Sequence, residues 1–249
     1  MKLKEALKNN GISAIVYGES GIGKTHFVGT LKGRTLVVAA EPNGIQTLAK
    51  SNNVDNIEVV FLPPAGKTIQ ETTDSYNKFF ASLDLANFDN LVIDSITELA
   101  SQILILHTDM TKNNGVPTQH NYLEVLCLMK YYLRSVHDHI MEGKNVIVIA
   151  LEAELALSQS NEGMTTKCHP ALAGRKLAPE AEAIFDIVAH LEKLPNGTRW
   201  LRLEGNDTFV AKDRFGRKAC VFDADTFLSG KTGNETKENK DNKENKETK

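Results

Sequence analysis

The sequence predicts an α/β fold in which a mainly parallel central sheet is flanked by helices and extended at the C-terminal end by antiparallel strands. Three observations lead to this prediction. Short apolar runs alternate with segments of helical periodicity as far as residue 186, which is typical of parallel strands buried on both faces. A glycine-rich turn joins the first apolar run to a helical segment. Beyond residue 186 the apolar runs follow one another closely, and the turn Pro195-Asn196-Gly197 indicates a hairpin.

Four strands and two helices are predicted in the first part of the chain. The strands are short apolar runs over residues 13–17, 35–40, 57–62 and 91–94. A short helix begins at Lys24 and ends near Leu31. A longer helix is predicted over residues 68–86, because its apolar residues recur mostly at helical spacing.

The rest of the chain is predicted to contain three helices, a fifth buried strand and the antiparallel extension. The helices cover residues 96–110, 122–141 and 179–185, and the strands cover 145–151, 187–194, 199–203 and 209–212. No regular structure is predicted over 158–174. We expect one domain over residues 1–228. Residues 229–249 are almost all Lys, Glu, Asn, Thr, Asp or Gly, which predicts a disordered, charged tail.

The composition excludes several classes of protein. Because the formal net charge is −3, the chain is not a general polyanion binder, and any contact with nucleic acid must come from a local basic patch or from patches combined in an oligomer. The three cysteines lie far apart and lack metal-ligand spacing. No stretch has the roughly 18 uninterrupted apolar residues of a membrane span, and the first residues lack the apolar core of a signal peptide. We therefore expect a cytoplasmic protein.

The glycine-rich turn satisfies the pattern G-x-x-x-x-G-K-[ST]. Its residues are Gly18, Glu19, Ser20, Gly21, Ile22, Gly23, Lys24 and Thr25, with His26 directly after them. Glycines let the backbone curl so that several N–H groups converge on phosphate oxygens, and the following helix turns its positive end to the same anion. Lys24 would reach the β- and γ-phosphates, and the Thr25 hydroxyl would bind Mg²⁺. The turn therefore predicts a site for ATP with Mg²⁺.

The fourth predicted strand ends in Asp94, in the sequence Leu91-Val92-Ile93-Asp94. A carboxylate in this position lies beside the phosphates, where it can hold the water shell of Mg²⁺. Apolar runs that end in aspartate are common, so the run alone does not predict a metal ligand. The phosphate loop in the same chain favours this role for Asp94. We predict that Thr25 and Asp94 hold the metal.

Two further features resemble the RecA and RadA group of P-loop proteins. Asp94 is followed by Ser95, whereas members of the AAA+ and ABC families typically carry a glutamate there. In RecA-like proteins the water-activating glutamate ends the strand next to the phosphate-loop strand, and here the second predicted strand runs into Glu41. The resemblance implies that Glu41 is the general base for the attacking water. Glu98 is the alternative base, and Glu41 could instead be an acid at a helix N-terminus.

The segment Ala211-Lys212-Asp213-Arg214-Phe215-Gly216 resembles the Lys-Asn-Arg-Phe-Gly motif of RadA. Related ring and filament ATPases reach the ATP of a neighbouring subunit with a Lys-x-Arg pair. The resemblance implies that Lys212 and Arg214 neutralise charge on the γ-phosphate in trans, and that the chain assembles into a ring or filament with ATP between subunits. The alternative interpretation is a basic surface turn after a strand.

Over about residues 14–222 the chain most resembles the phage-encoded RecA-like nucleotide-binding proteins that act as single-strand annealing recombinases. The resemblance implies a RecA-like P-loop NTPase core. Members often show His-Glu after the fifth strand, where this chain has Leu151-Glu152. Glu152 is then the nearby candidate for a polar sensor of the γ-phosphate. The change from His to Leu151 affects the residue through which binding or hydrolysis of ATP would be coupled to DNA binding.

The resemblance also implies where DNA binds, because RecA-like proteins use the loops that follow the fourth and fifth strands. These loops correspond to residues 111–120 and 158–176. The second loop is locally basic and suited to a phosphate backbone. Its candidate contacts are Lys167, His169, Arg175 and Lys176. It contains no Phe, Tyr or Trp for base stacking, and a solvated loop is the alternative interpretation.

The sequence thus favours an ATP-hydrolysing, RecA-like protein that acts on single-stranded DNA in phage recombination or replication, by annealing or strand exchange, in the host cytoplasm. The expected partners are single-stranded DNA, further copies of the chain and a single-strand-binding protein. Two alternatives stay open. One is a P-loop kinase of a nucleotide or small molecule, although residues 94–146 contain no Arg-rich lid. The other is a nucleotide-switched loader of a replication partner that does not hydrolyse ATP.

Overall fold

A computed structural model describes residues 11–66, 68–108, 113–160 and 163–228 of the chain, with the backbone alone at 113, 156–160 and 163–165. The predicted tail over 229–249 lies outside the described residues. In the part that is described, no helix combines the length and the apolar character needed to cross a membrane.

Ten strands of the described chain form the β-structure. They are β1 Ser13–Gly18, β2 Thr35–Ala39, β3 Ile57–Phe61, β4 Asn90–Asp94, β5 Asn145–Ser160, β6 Gly163–Pro170, β7 Ile187–Lys193, β8 Arg199–Arg202, β9 Lys212–Asp213 and β10 Ala219–Val221. Their order is β10-β8-β7-β1-β5-β4-β2-β3, with β6 on β5 and β9 on β7. Neighbours from β7 to β3 run parallel, whereas β6, β8, β9 and β10 pair antiparallel. The predicted fold class is confirmed.

The α-helices cover both faces of this sheet. They are α1 Lys24–Val28, α2 Ile69–Ala81, α3 Ile96–His107, α4 Gln119–His137, α5 Leu177–Ile184 and α6 Ala224–Leu228. Strand residues alternate between two apolar clusters, as the period of two in a strand requires. In β1, Ile15 and Tyr17 pack with α2 to α5, whereas Ala14 and Val16 pack with α1 and α6.

Side-chain caps fix where the long helices begin. The hydroxyl of Ser95 accepts a 3.3 Å hydrogen bond from the backbone N–H of Glu98 at the start of α3. Thr118 and Asn121 form a reciprocal capping box, so α4 begins at Gln119, earlier than predicted. Such caps satisfy N–H groups that have no partner within the helix. In contrast, α2 ends at Ala81 rather than near residue 86.

The segment over 158–174, for which no regular structure was predicted, is largely a β-hairpin. Strand β5 continues past the sheet to Ser160 and pairs antiparallel with β6, with a register shift between Ala156 and Ser158. The prediction missed it because residues 158–170 are mostly polar and do not alternate between polar and apolar. Conversely, the strand predicted over 209–212 is mostly absent, since only Lys212 belongs to β9 and Phe209 forms an isolated bridge with Cys168.

The strand order corrects the expected position of Glu41. This glutamate follows β2, which does not lie next to the phosphate-loop strand, because β5 and β4 separate β2 from β1. Strand β2 instead borders β4, with Ala39 opposite Asp94. The two acidic side chains therefore follow neighbouring strands and come together at one edge of the sheet.

Candidate functional site

A cavity of about 360 Å³ lies at the carboxyl ends of the parallel strands. This edge is where ligands bind in open α/β sheets. Eight of the residues predicted for the nucleotide and its chemistry line this cavity: Ser20, Gly21, Gly23, Lys24, Thr25, His26, Glu41 and Asp94. Gly18, Glu19 and Ile22 belong to the same turn but not to the lining. Lys24 and Asp94, which lie about 70 positions apart in the chain, thus line the same cavity.

The backbone of the turn is shaped to present N–H groups. Gly21 has a φ of 75° and Gly23 a φ of 111°, both in the left-handed region that glycine adopts without steric cost. Gly23 is also the N-cap of α1. Within the described residues, the N–H groups of Gly21, Gly23 and Lys24 donate to no carbonyl oxygen. Donors without a partner at the start of a helix fit an anionic phosphate.

Lys24 is buried, and its ammonium contacts the backbone of the phosphate loop. Its Nζ donates hydrogen bonds of 2.8 Å to the carbonyl oxygen of Gly18 and 2.7 Å to that of Glu19. Burial lowers the pKa of Lys24, whereas the charges of Asp94, Glu152 and Glu19 act in the opposite direction. A cation held here at the loop fits the predicted contact with the β- and γ-phosphates.

Thr25 and Asp94 are in direct contact. The Thr25 hydroxyl donates a 2.8 Å hydrogen bond to Asp94 Oδ2. Burial raises the pKa of Asp94, and the hydrogen bond from Thr25 and the charge of Lys24 lower it. Hydroxyl and carboxylate oxygens are the ligands that Mg²⁺ prefers, so the pair fits the predicted role. Magnesium bound here would neutralise charge on the phosphate oxygens.

Glu41 is a carboxylate that faces the cavity without a hydrogen-bond partner among the described residues. It is exposed, and within the described residues it makes no hydrogen bond. Partial desolvation by the surrounding protein raises the pKa of Glu41, and the negative charges of Glu98 and Asp94 raise it further. The alternative base, Glu98, does not line the cavity, and its Oε1 accepts a 2.9 Å hydrogen bond from Gln102. Of the two predicted bases, Glu41 faces the cavity and Glu98 does not.

Beside the phosphate loop, β5 contacts a histidine that sequence reasoning missed and that does not line the cavity. Leu151 lines the cavity, but Glu152 Oε2 lies 2.9 Å from His190 Nε2 on β7. The ring of His190 in turn stacks on Phe209, with centroids 4.6 Å apart. Glu152 is thus engaged with β7. The one sequence signal for this pair is that a polar residue, His190, interrupts an apolar strand.

Lys212 and Arg214 do not line the cavity of their own chain. The Lys212 ammonium donates to the carbonyl oxygen of Glu182. Burial lowers the pKa of Lys212, and the neighbouring charge of Arg214 lowers it further. Arg214 forms a 2.7 Å ion pair with Asp186, and its side chain is 55% exposed.

The predicted DNA contacts divide into two groups. Arg175 and Lys176 are exposed and line a groove of about 760 Å³ with Tyr122 and Leu123 of α4. Lys167 is half-buried on β6.

His169 does not belong to a basic surface, which corrects the prediction for this residue. It is only 5% exposed. Helix α5 covers it, because Glu182 Oε1 lies 2.8 Å from His169 Nδ1. Tyr122 of α4 lines the same groove as Arg175 and Lys176, and its distance from them in sequence concealed this proximity.

A family model described as an AAA domain, AAA_24, matches residues 10–215, a span that includes the phosphate loop, Glu41, Asp94, Lys212 and Arg214. No curated protein matches the chain. The matched span covers most of the chain, and it contains the cavity built from the phosphate loop and the Thr25–Asp94 pair. The chain therefore belongs to the AAA_24 family of AAA domains and is a nucleotide-binding domain of the P-loop ATPase type.

Proposed function

We propose that this chain hydrolyses Mg·ATP in a site that a second copy of the chain completes, and that single-stranded DNA stimulates the turnover. Such an activity serves annealing or strand exchange in phage recombination or replication. One observation carries the proposal: the phosphate loop, the Thr25–Asp94 pair and an unpartnered Glu41 line one cavity, while Lys212 and Arg214 lie outside it. In this proposal the cavity supplies the groups for binding and for activating water, and Lys212 and Arg214 act on a neighbour.

Each chemical task has a group in the cavity. The unbonded N–H groups of the loop and the Lys24 ammonium would bind the phosphates. Thr25 and Asp94 would hold the metal. The Glu41 carboxylate makes no hydrogen bond within the described residues, so its oxygens can accept a proton from a water molecule. This division of tasks matches hydrolysis, in which water is the acceptor of the phosphoryl group.

The exposure of Arg214 supports a role on another copy of the chain. A buried ion pair fixes its turn, because Arg217 Nε donates a 2.8 Å hydrogen bond to Asp213 Oδ2 and both side chains are 1% exposed. Arg214 itself projects to the surface. Arg214 is the exposed partner of its ion pair, whereas Asp186 is only 15% exposed. Asp186 would keep its 2.8 Å hydrogen bond from the Ser13 hydroxyl if Arg214 turned to a phosphate of a neighbouring subunit.

Mixing two inactive variants tests this subunit-spanning site. Lys24→Ala removes a residue of the cavity, and Arg214→Ala removes the residue offered to the neighbour. In a random one-to-one mixture about a quarter of the interfaces combine an intact cavity with an intact arginine, so ATP turnover should recover to about that fraction. The measurement is the turnover rate across mixing ratios. A rate that stays at the sum of the two separate variants at every ratio would contradict the proposal.

The groove beside α4 is the surface best suited to single-stranded DNA. Arg175 and Lys176 provide positive charge for the phosphate backbone. The Tyr122 ring is 37% exposed and packs against Gly174, where a Cβ would lie 3.1 Å from its Cδ1. Gly174 has a φ of 77°. A fixed aromatic ring beside two cations is the combination that single-strand-binding grooves use.

Variants of the groove test the role of DNA. Arg175→Ala with Lys176→Ala should weaken binding of a labelled oligothymidylate and flatten its dependence on salt, because about 0.7 counterions are released for each phosphate contact on single strands. Tyr122→Leu should weaken binding about 5- to 150-fold through the loss of stacking. Both should reduce the stimulation of ATP turnover by DNA and leave turnover without DNA unchanged.

The matched control is Lys78→Ala, which removes an exposed lysine from α2, outside the groove. It should bind the oligonucleotide like the wild type. Fluorescence anisotropy measures binding, and a coupled ATPase assay measures stimulation. Equal anisotropy curves for wild type and both groove variants would rule out this surface.

A further inference from the structure

Arg199 contacts the phosphate loop from β8, 177 residues away in the sequence. Its Nε donates a 2.6 Å hydrogen bond to the carbonyl oxygen of Ile22. The same side chain lies against the next residue, since a Cβ built on Gly23 would lie 3.2 Å from Arg199 Nε. The guanidinium thus contacts the peptide that joins Ile22 to Gly23. Arg199 itself does not line the cavity.

This contact determines the direction of one N–H group. The peptide bond between Ile22 and Gly23 is trans, and in a planar trans peptide the C=O and N–H point to opposite sides. Because the Ile22 carbonyl points to Arg199, the Gly23 N–H points away from Arg199. Gly23 lines the cavity, and its N–H has no acceptor among the described residues. Arg199 therefore orients a donor that is available to a phosphate.

Aromatic packing holds the guanidinium in place. Its Cζ lies 5.8 Å from the centroid of the Phe222 ring. Phe222 also stacks on His26, with centroids 6.0 Å apart and an angle of 8° between the rings. Phe27 packs on the same ring at 5.6 Å. Arg199 is thereby fixed relative to α1, the helix that begins with Lys24.

We infer that Arg199 is a positioning residue for the polyphosphate of the nucleotide, because it holds the Ile22–Gly23 peptide with its N–H available to the cavity. The inference rests on the proposed binding of Mg·ATP at the loop. Glycine at position 23 allows this peptide to rotate at low cost when the hydrogen bond is absent. Loss of Arg199 then leaves the loop folded but with a donor turned away from the phosphates.

Two substitutions of similar length test the hydrogen bond. Arg199→Met and Arg199→Gln both remove the charge, but only glutamine can donate to the Ile22 carbonyl. The Met variant should bind Mg·ADP about ten-fold or more weakly than wild type, as expected for a hydrogen bond to a charged group. The Gln variant should recover part of this loss. ADP and ATP should be affected alike, because the loop N–H groups contact the α- and β-phosphates.

Arg202→Met is the matched control, since Arg202 lies on the same strand and its Nε instead donates a 2.6 Å hydrogen bond to Glu192. Calorimetry gives the dissociation constants, at a temperature where the melting curves show every variant folded. Equal affinity of the Met variant and wild type, or of the Gln and Met variants, would overturn the inference. A loss for ATP but not for ADP would also overturn it. Failure of the wild type to bind either nucleotide would instead overturn the proposed function.

Discussion

Glu41→Gln is expected to lower ATP turnover about 100- to 10,000-fold, the range for the loss of a general base. Glutamine has nearly the same shape as glutamate but cannot accept the proton of the attacking water. Because Glu41 makes no hydrogen bond within the described residues, the substitution breaks no contact there that holds the loop or β2. The dissociation constant for Mg·ATP should therefore stay close to that of the wild type. Turnover and binding are measured separately, by a coupled assay and by calorimetry.

The acid side of the pH profile provides a control on this assignment. Glu41 acts as a base only when ionised, so turnover should fall as the pH drops through its pKa. Partial desolvation and the charges of Glu98 and Asp94 hold this pKa above the ordinary value. Glu98→Gln removes one of these negative charges and favours ionised Glu41, so the acid limb should move to lower pH. Its amide oxygen can still accept the hydrogen bond from Gln102. Wild-type turnover by Glu41→Gln would exclude Glu41 as the base.

Lys24→Ala is expected to weaken binding of Mg·ATP about 30- to 150-fold, which corresponds to about 2–3 kcal/mol for hydrogen bonds to a charged group. The ammonium lies on the loop and has two carbonyl oxygens as partners, so its position is already set for the phosphates. The loss should be larger for ATP than for ADP, because Lys24 is predicted to reach the γ-phosphate. Calorimetric titration with each nucleotide measures the difference.

Lys32→Ala serves as the control for Lys24→Ala. Lys32 follows α1 closely in the chain, but its side chain is 80% exposed and paired with Asp225. The Lys32→Ala protein should bind ATP with the same affinity as the wild type. Equal affinities of the Lys24→Ala and Lys32→Ala proteins would contradict the role of Lys24.

Local motifs account for the part of the site that could be predicted from sequence. The phosphate loop is contiguous, and its strand and helix follow from continuous apolar runs and from the glycines. Asp94 and Glu41 each directly follow a buried run, so parallel strands bring them to one edge of the sheet. The strand order is a long-range property, and for this reason the expected position of β2 beside β1 was wrong.

Contacts between distant segments account for what was missed. Arg199, His190 and Tyr122 lie in ordinary strand and helix positions. Arg199 contacts the phosphate loop, His190 contacts Glu152, and Tyr122 lines the groove beside α4, and each of these contacts joins segments that are distant in sequence. His169 illustrates the opposite error. Its basic neighbours in sequence predicted a surface residue, but α5 packs Glu182 onto it. The β5–β6 hairpin is joined by backbone hydrogen bonds, which leave little trace in the pattern of side chains.

Calorimetric titration of the folded chain with Mg·ATP tests the central claim most directly. The backbone N–H groups of the loop, Lys24 and the Thr25–Asp94 pair predict saturable uptake of about one Mg·ATP per chain. Affinity should fall when Mg²⁺ is removed, because Thr25 and Asp94 act through the metal. A folded wild-type protein that takes up no Mg·ATP would contradict the account of the site and the activity proposed for it.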